Sequence, residues 1–207
     1  MQVTKLEFTP EELEVLNNGQ FFAVKLSATR KIMSIFGQLE KELKDELKVR
    51  DFRQNEGINI DSGKIFRGEN YLNLPYILLD FPRLFNTKSV FAYRNMFWWA
   101  HGFSFTLHLQ GDAWERRRNS IQKRIHKLKG QDFLICVNES PWQYHFDATN
   151  YIDLDIFLEQ GRVETLSTKG FIKLCTRFET ARHEKVIAAS KSTFRKLINL
   201  TEDQDPI

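Results

Sequence analysis

Apolar positions recur along this chain with two periods, and the change of period divides it. Over the first fifty residues the step is three or four, the helical spacing. Thr9, Pro10 and Glu12 form a capping box with proline at the first helical position, and Phe8 and Leu13 are placed as a hydrophobic staple across it. Asn17-Asn18-Gly19 ends that helix. A second helix is predicted from about Gln20 to Lys48, with Ala28, Ile32, Ile35, Phe36, Leu39, Leu43 and Leu47 as its seam. Its outer face carries Glu40–Lys44 and Lys41–Asp45 pairs at i,i+4. Residues 50–64 are polar, with Gly57 and Gly63, and read as a loop.

From Lys64 the period becomes two. A short strand is predicted at 64–67. Tyr76 to Phe81 is a near-continuous apolar run between Pro75 and Pro82, the pattern of a strand covered on both faces. Segments 89–99 and 103–110 form a hairpin across Ala100-His101-Gly102. In its second strand Phe103, Phe105, Leu107 and Leu109 alternate with Ser104, Thr106, His108 and Gln110, which predicts one core face and one wet or functional face. A basic helix follows at about 113–129, with Trp114, Ile121, Ile125 and Leu128 as its buried stripe. Further strands are expected at 132–138, at 144–147 on an edge, and at 170–176. Asp153 caps a helix carrying Leu154, Phe157 and Leu158, a last helix covers 180–200, and 201–207 is a polar tail. These elements predict one α+β domain over residues 1–207: a mostly antiparallel sheet of about five strands flanked by N-terminal, central basic and C-terminal helices.

Composition adds an aromatic-rich core, since 18 of 207 residues are Phe. The formal net charge of +3 is too small to argue for nucleic acid by itself. Cys136 and Cys175 sit in apolar runs and read as buried free thiols. The longest uncharged run, Asn95 to Gly111, is too short and too polar to span a bilayer, and no apolar leader opens the chain. A cytoplasmic protein without membrane contact is expected. No metal-ligand spacing, nucleophile motif or phosphate loop is present, so no metal, cofactor or reaction is assigned.

Charged residues interleave with the aromatic strands. Arg67, Glu69, Tyr71, Asp80, Arg94, Trp98 and His101 are the candidate lining of a pocket for a small anionic or aromatic ligand. The plainer reading pairs Arg67 with Glu69 and Asp80 with Arg83 as structural ion pairs. Trp98 and Trp99 must point to opposite faces of a strand. His145 and Asp147 share one face, as a metal-binding pair, a base-and-orienter pair or a simple hydrogen-bonded pair. Along the basic helix, Arg116, Arg117, Arg118, Lys123, Arg124 and Lys127 can lie along phosphates or form a solvated face. A third reading is a partner or homodimer interface on the exposed tryptophan or the second helix.

The runs Phe66-Arg67-Gly68-Glu69-Asn70-Tyr71, Leu74-Pro75-Tyr76, Leu79-Asp80-Phe81-Pro82-Arg83 and Asn95-Met96-Phe97-Trp98-Trp99 resemble a family of uncharacterised bacterial cytoplasmic proteins, over about residues 65–110. The resemblance implies a bacterial, cytoplasmic setting and no particular activity.

Overall fold

A computed structural model describes residues 6–49 and 57–201. The capping signal acts as read, while Phe8 and Leu13 of the expected staple both stay exposed. Helix α1 spans Pro10–Asn17, and the Thr9–Glu12 capping box closes in both directions. Asn18 then caps helix α2, Gly19–Val49, by accepting from the Phe21 amide at 2.8 Å. Burial on α2 begins only at Thr29. Ile32, Phe36, Leu39, Leu43 and Leu47 form the buried stripe, while α1 buries no residue.

Seven strands form one antiparallel sheet instead of the expected five or so. They are β1 Lys64–Tyr71, β2 Leu74–Phe85, β3 Ser89–Trp98, β4 Gly102–Gly111, β5 Leu134–Cys136, β6 Tyr151–Asp153 and β7 Phe171–Phe178. The spatial order is β1-β2-β3-β4-β7-β5-β6. The first four strands are consecutive hairpin neighbours. The chain then leaves the sheet through helix α3, Asp112–Arg124, and a 3₁₀ turn at Ile125–Leu128. It builds β5, β6 and the short helix α4, Leu154–Glu159, and returns through β7 into the place beside β4. A 3₁₀ turn at Thr180–Lys185 leads to helix α5, Val186–Thr201. Residues 50–56 of the expected loop and 202–207 of the expected tail lie outside the described residues.

Helices α2, α3 and α5 cover one face of the sheet. Phe36, Phe91, Phe97, Phe103, Phe105 and Phe194 are all below 7 % exposed in this core, which is why so much phenylalanine is present. Trp114, Ile121, Ile125 and Leu128 are buried as the stripe predicted. Gly111 makes the sharp turn from β4 into α3 at φ 59°, and a Cβ there would lie 2.0 Å from the Lys88 carbonyl oxygen, so only glycine fits.

Two expectations fail here. Residues 144–147 are no edge strand but belong to an irregular segment, 137–150, between β5 and β6. The face carrying Ser104, Thr106 and His108 is not wet: all three are buried. The 137–150 segment lies over this second face. Local pattern shows that a face is polar, but what lies over it is decided by a distant segment.

Candidate functional site

The pairing register places the site. Asp80 lies opposite Arg94, Arg94 opposite Thr106, and Thr106 opposite Cys175. One row further on, Ala92 lies opposite His108, and His108 opposite Lys173. All of these point away from the helices, so β2, β3, β4 and β7 bring Asp80, Arg94, His108 and Lys173 onto one patch.

Arg94 forms a fork on Asp80, with Nε to Oδ1 and Nη2 to Oδ2 both at 2.7 Å. Its Nη1 donates to the Tyr144 hydroxyl. Burial opposes the charge on Arg94, but the bonds to Asp80 outweigh it and hold the guanidinium above its ordinary range. Lys173 is 0 % exposed. Its Nζ donates to the Gln143 carbonyl and lies 4.4 Å from the centre of the Tyr144 ring and 5.0 Å from that of Tyr151. Among the described residues it has a carbonyl and two ring faces, and no carboxylate. Burial, reinforced by the Arg94 charge, lowers its pKa to about 8. The ammonium is still roughly nine-tenths protonated at pH 7.

His108 is 2 % exposed, and neither ring nitrogen makes a close hydrogen bond among the described residues, with Gln110 a weak polar neighbour on the same strand. Burial, then the charges of Lys173 and Arg94, lowers its pKa to about 3, so it is neutral. Its ring meets Trp142 edge-on at 5.2 Å. The Trp98 Nε1, Gln110 Oε1, Tyr151 hydroxyl and Arg83 Nε are likewise buried without a close hydrogen bond among the described residues, Gln110 and Tyr151 keeping weak polar neighbours in His108 and Thr106. With both nitrogens of His108, six of the seven such atoms belong to strand positions on this face. The seventh, Asn95 Nδ2, is on the helix side. Buried polar groups are normally satisfied, so a concentration of exceptions marks a place built for something else.

The covering segment is pinned at three points. The Tyr71 hydroxyl accepts from the Tyr144 and His145 amides at 2.6 and 3.1 Å. Arg94 holds Tyr144, and Lys173 holds Gln143. Asn150, fully buried, donates to the His145 carbonyl at 2.6 Å and closes the segment on itself. His145 and Asp147 pair at 3.4 Å, as their spacing suggested. No group of three or more metal-ligating side chains occurs among the described residues.

The seven pocket candidates do not gather in one place. Tyr71, Asp80, Arg94 and Trp98 lie on the loop-covered face, and His101 joins them by stacking on Trp98 at 3.7 Å. Arg67 and Glu69 instead line a groove of about 210 Å³ beside α2, with Lys25, Tyr76 and Trp99. The expected pairs are also re-sorted: Asp80 takes Arg94 instead of Arg83, and Glu69 takes Lys25 at 3.5 Å. Local spacing suggested neighbours in sequence, whereas the antiparallel register supplied Arg94 to Asp80 and helix α2 supplied Lys25 to Glu69.

Among the basic residues, Arg117 is buried with its guanidinium 5.1 Å from the Phe91 ring, so it leaves the expected solvent row. Arg118 is held by Glu115 and the Ser167 carbonyl. Arg116, Lys123 and Lys127 are exposed, and Arg124 is half-buried.

His108, Tyr144, Tyr151 and Lys173 were missed as site residues. Lys173 carried a signal: a lysine inside the apolar strand Phe171-Ile172-Lys173-Leu174-Cys175 belongs at an edge or under a partner. Tyr144 had none, because its role depends on where the covering segment lands.

The chain is thus an α+β protein with a seven-stranded antiparallel sheet. No family model, curated protein or solved structure matches it.

Proposed function

We propose that this protein binds a small anionic ligand, with an aromatic or apolar body, on the loop-covered face of its sheet. Lys173 carries the reading: a fully buried ammonium without a carboxylate among the described residues, beside a buried neutral histidine. A buried charge is costly until paired. Gln143 and Tyr144 supply neutral oxygens to Lys173 and Arg94, and a carboxylate or phosphate oxygen is the stronger acceptor for both. Binding would displace Gln143 and Tyr144 and keep the tyrosine and tryptophan faces as packing for the ligand body. No reaction is assigned. A cytoplasmic setting is part of the reading, supported by the free buried thiols Cys136 and Cys175, and the likeness over residues 65–110 adds a bacterial one.

The test is thermal unfolding with phosphate, benzoate and a nucleoside monophosphate at millimolar concentration. At least one should raise Tm in the wild type and leave Lys173→Met unmoved. Affinity should fall about tenfold per pH unit above pH 8, where the free amine loses its proton. No shift with any of the three ends the proposal.

Phosphate contact along the basic helix remains a second reading. It is supported by a groove of about 330 Å³ between α3 and α5 lined by Arg124, Lys127, Gln131, Lys196 and Asn199. Salt-sensitive affinity for mixed DNA or RNA would support it, and salt-independent or absent binding would remove it.

A further inference from the structure

The N-terminal arm is the least explained surface of the molecule. Among the described residues, ten of the fifteen exposed large apolar side chains lie before residue 34, including Phe8, Leu13, Leu16, Phe21, Phe22 and Val24. Phe8 is 63 % exposed and Val24 62 %. α1 buries nothing, and α2 buries no side chain over its first nine residues, about 14 Å of helix that runs out past the sheet edge and is tied to it by the Lys25–Glu69 pair. Half-exposed side chains of this size each offer on the order of 80–100 Å² of apolar area. Ten of them offer on the order of 800–1,000 Å², against a few hundred on an ordinary monomer and about 800 Å² per partner in a standard interface.

Charge says what covers the arm. Residues 7–17 carry Glu7, Glu11, Glu12 and Glu14 and no base. Residues 19–39 carry Lys25, Arg30 and Lys31 and no acid. α1 is therefore acidic and apolar, and the α2 overhang is basic and apolar. The groove beside that overhang is lined by Phe22, Leu26 and Trp99 together with Lys25 and Arg67, opposed by Glu69 alone. A surface complementary to another surface of the same chain, with both copies contributing the same two elements, is the requirement of a twofold dimer.

We infer that the arm is a homodimer interface in which α1 of each copy docks on the α2 overhang of the other, apolar faces together and glutamates against Lys25, Arg30 and Lys31. Two copies then bury both apolar stripes and both sets of charge at once. This leaves the loop-covered site untouched on each copy.

Sedimentation equilibrium of the full chain over a concentration series tests this. The wild type should be a dimer. Phe21→Glu with Phe22→Glu should raise the dimer dissociation constant at least tenfold, with the thermal transition of the monomer retained because both side chains are exposed. Glu11→Lys with Glu14→Lys should weaken self-association, as should Lys25→Glu with Lys31→Glu. Mixing the two charge-reversed proteins should restore both arm contacts, one with its charges exchanged and one as in the wild type, and form a heterodimer. A monomeric wild type at high concentration overturns the inference. So does a monomer that binds phosphatidylserine–phosphatidylcholine vesicles, and so does a dimer indifferent to all these substitutions.

Discussion

The two faces of the sheet are built from alternating residues of the same strands, yet they are finished differently. On the helix side, Phe103, Phe105, Leu107 and Leu109 of β4 meet α3 and α5 in a dry core, where Tyr93 donates to the Ser190 carbonyl at 2.7 Å. On the other side, the polar positions of β4 lie under a segment with no regular structure, and six buried polar atoms make no close hydrogen bond among the described residues. Helices bring side chains and satisfy their own backbone. An irregular segment brings carbonyls and amides as well, so it can lie over polar side chains. The first face holds the fold together; the second spends some of that stability on buried charge.

The contrast can be broken at several depths. On the helix face, Phe105→Ala should cost about 4 kcal/mol in urea unfolding, because a buried ring is replaced by a cavity. On the loop face, Asp80→Ala should cost about 3 kcal/mol, since Arg94 is left charged and unpaired. Adding Arg94→Met should recover much of that loss, whereas no second deletion rescues Phe105→Ala. A failure of the double variant to recover would show that the pair is held by more than mutual compensation.

Acid should act through the loop face. His108 has a folded pKa of about 3 against an ordinary 6.5, so the unfolded chain binds more protons between these values. Its contribution is therefore complete above pH 6.5 and declines as pH falls, by about 2 kcal/mol at pH 5. His108→Gln should flatten that part of the stability–pH curve, and an unchanged curve would mean that the ring is protonated in the fold.

Tyr71→Phe should cost about 1 kcal/mol and speed amide exchange at Tyr144 and His145, whose N–H groups the hydroxyl accepts. The smallest effect should come from Lys173→Met. Removing an unpaired buried ammonium should leave stability unchanged or slightly higher at pH 7, while abolishing any response to anions. In the wild type the lysine pKa is lowered in the fold, so stability should rise from pH 8 to about 10.5, and Lys173→Met should lack this rise. A large loss on this substitution would make Lys173 a structural latch for Gln143 instead of a ligand group.

The helices and the central hairpin were legible from sequence because their signals are local. Thr9 and Glu12 are three residues apart, and the β4 alternation needs eight consecutive positions. Strand β5 was legible inside the apolar run expected at 132–138, whereas β6 has three residues, too few for a period to show. Of the site, Tyr71, Asp80 and Arg94 were picked out because charge or a hydroxyl among apolar strand residues is visible in one dimension. Their grouping was not: Arg67 and Glu69 sit among the same aromatics yet point to the helix side, a matter of strand parity and of the β1 irregularity between Gly68 and Tyr71.

The sequence by itself determined the main helices and the long strands, which side of β4 is apolar, and that the cysteines are buried. These follow from capping, period and burial preference, each acting over a few neighbouring residues. Tertiary structure alone decided that β7 returns to lie beside β4, which puts Lys173 opposite His108, and that residues 137–150 fold over both. Those contacts join positions 30 to 73 residues apart along the chain. They depend on the packing free energy of the whole sheet, to which no local window has access.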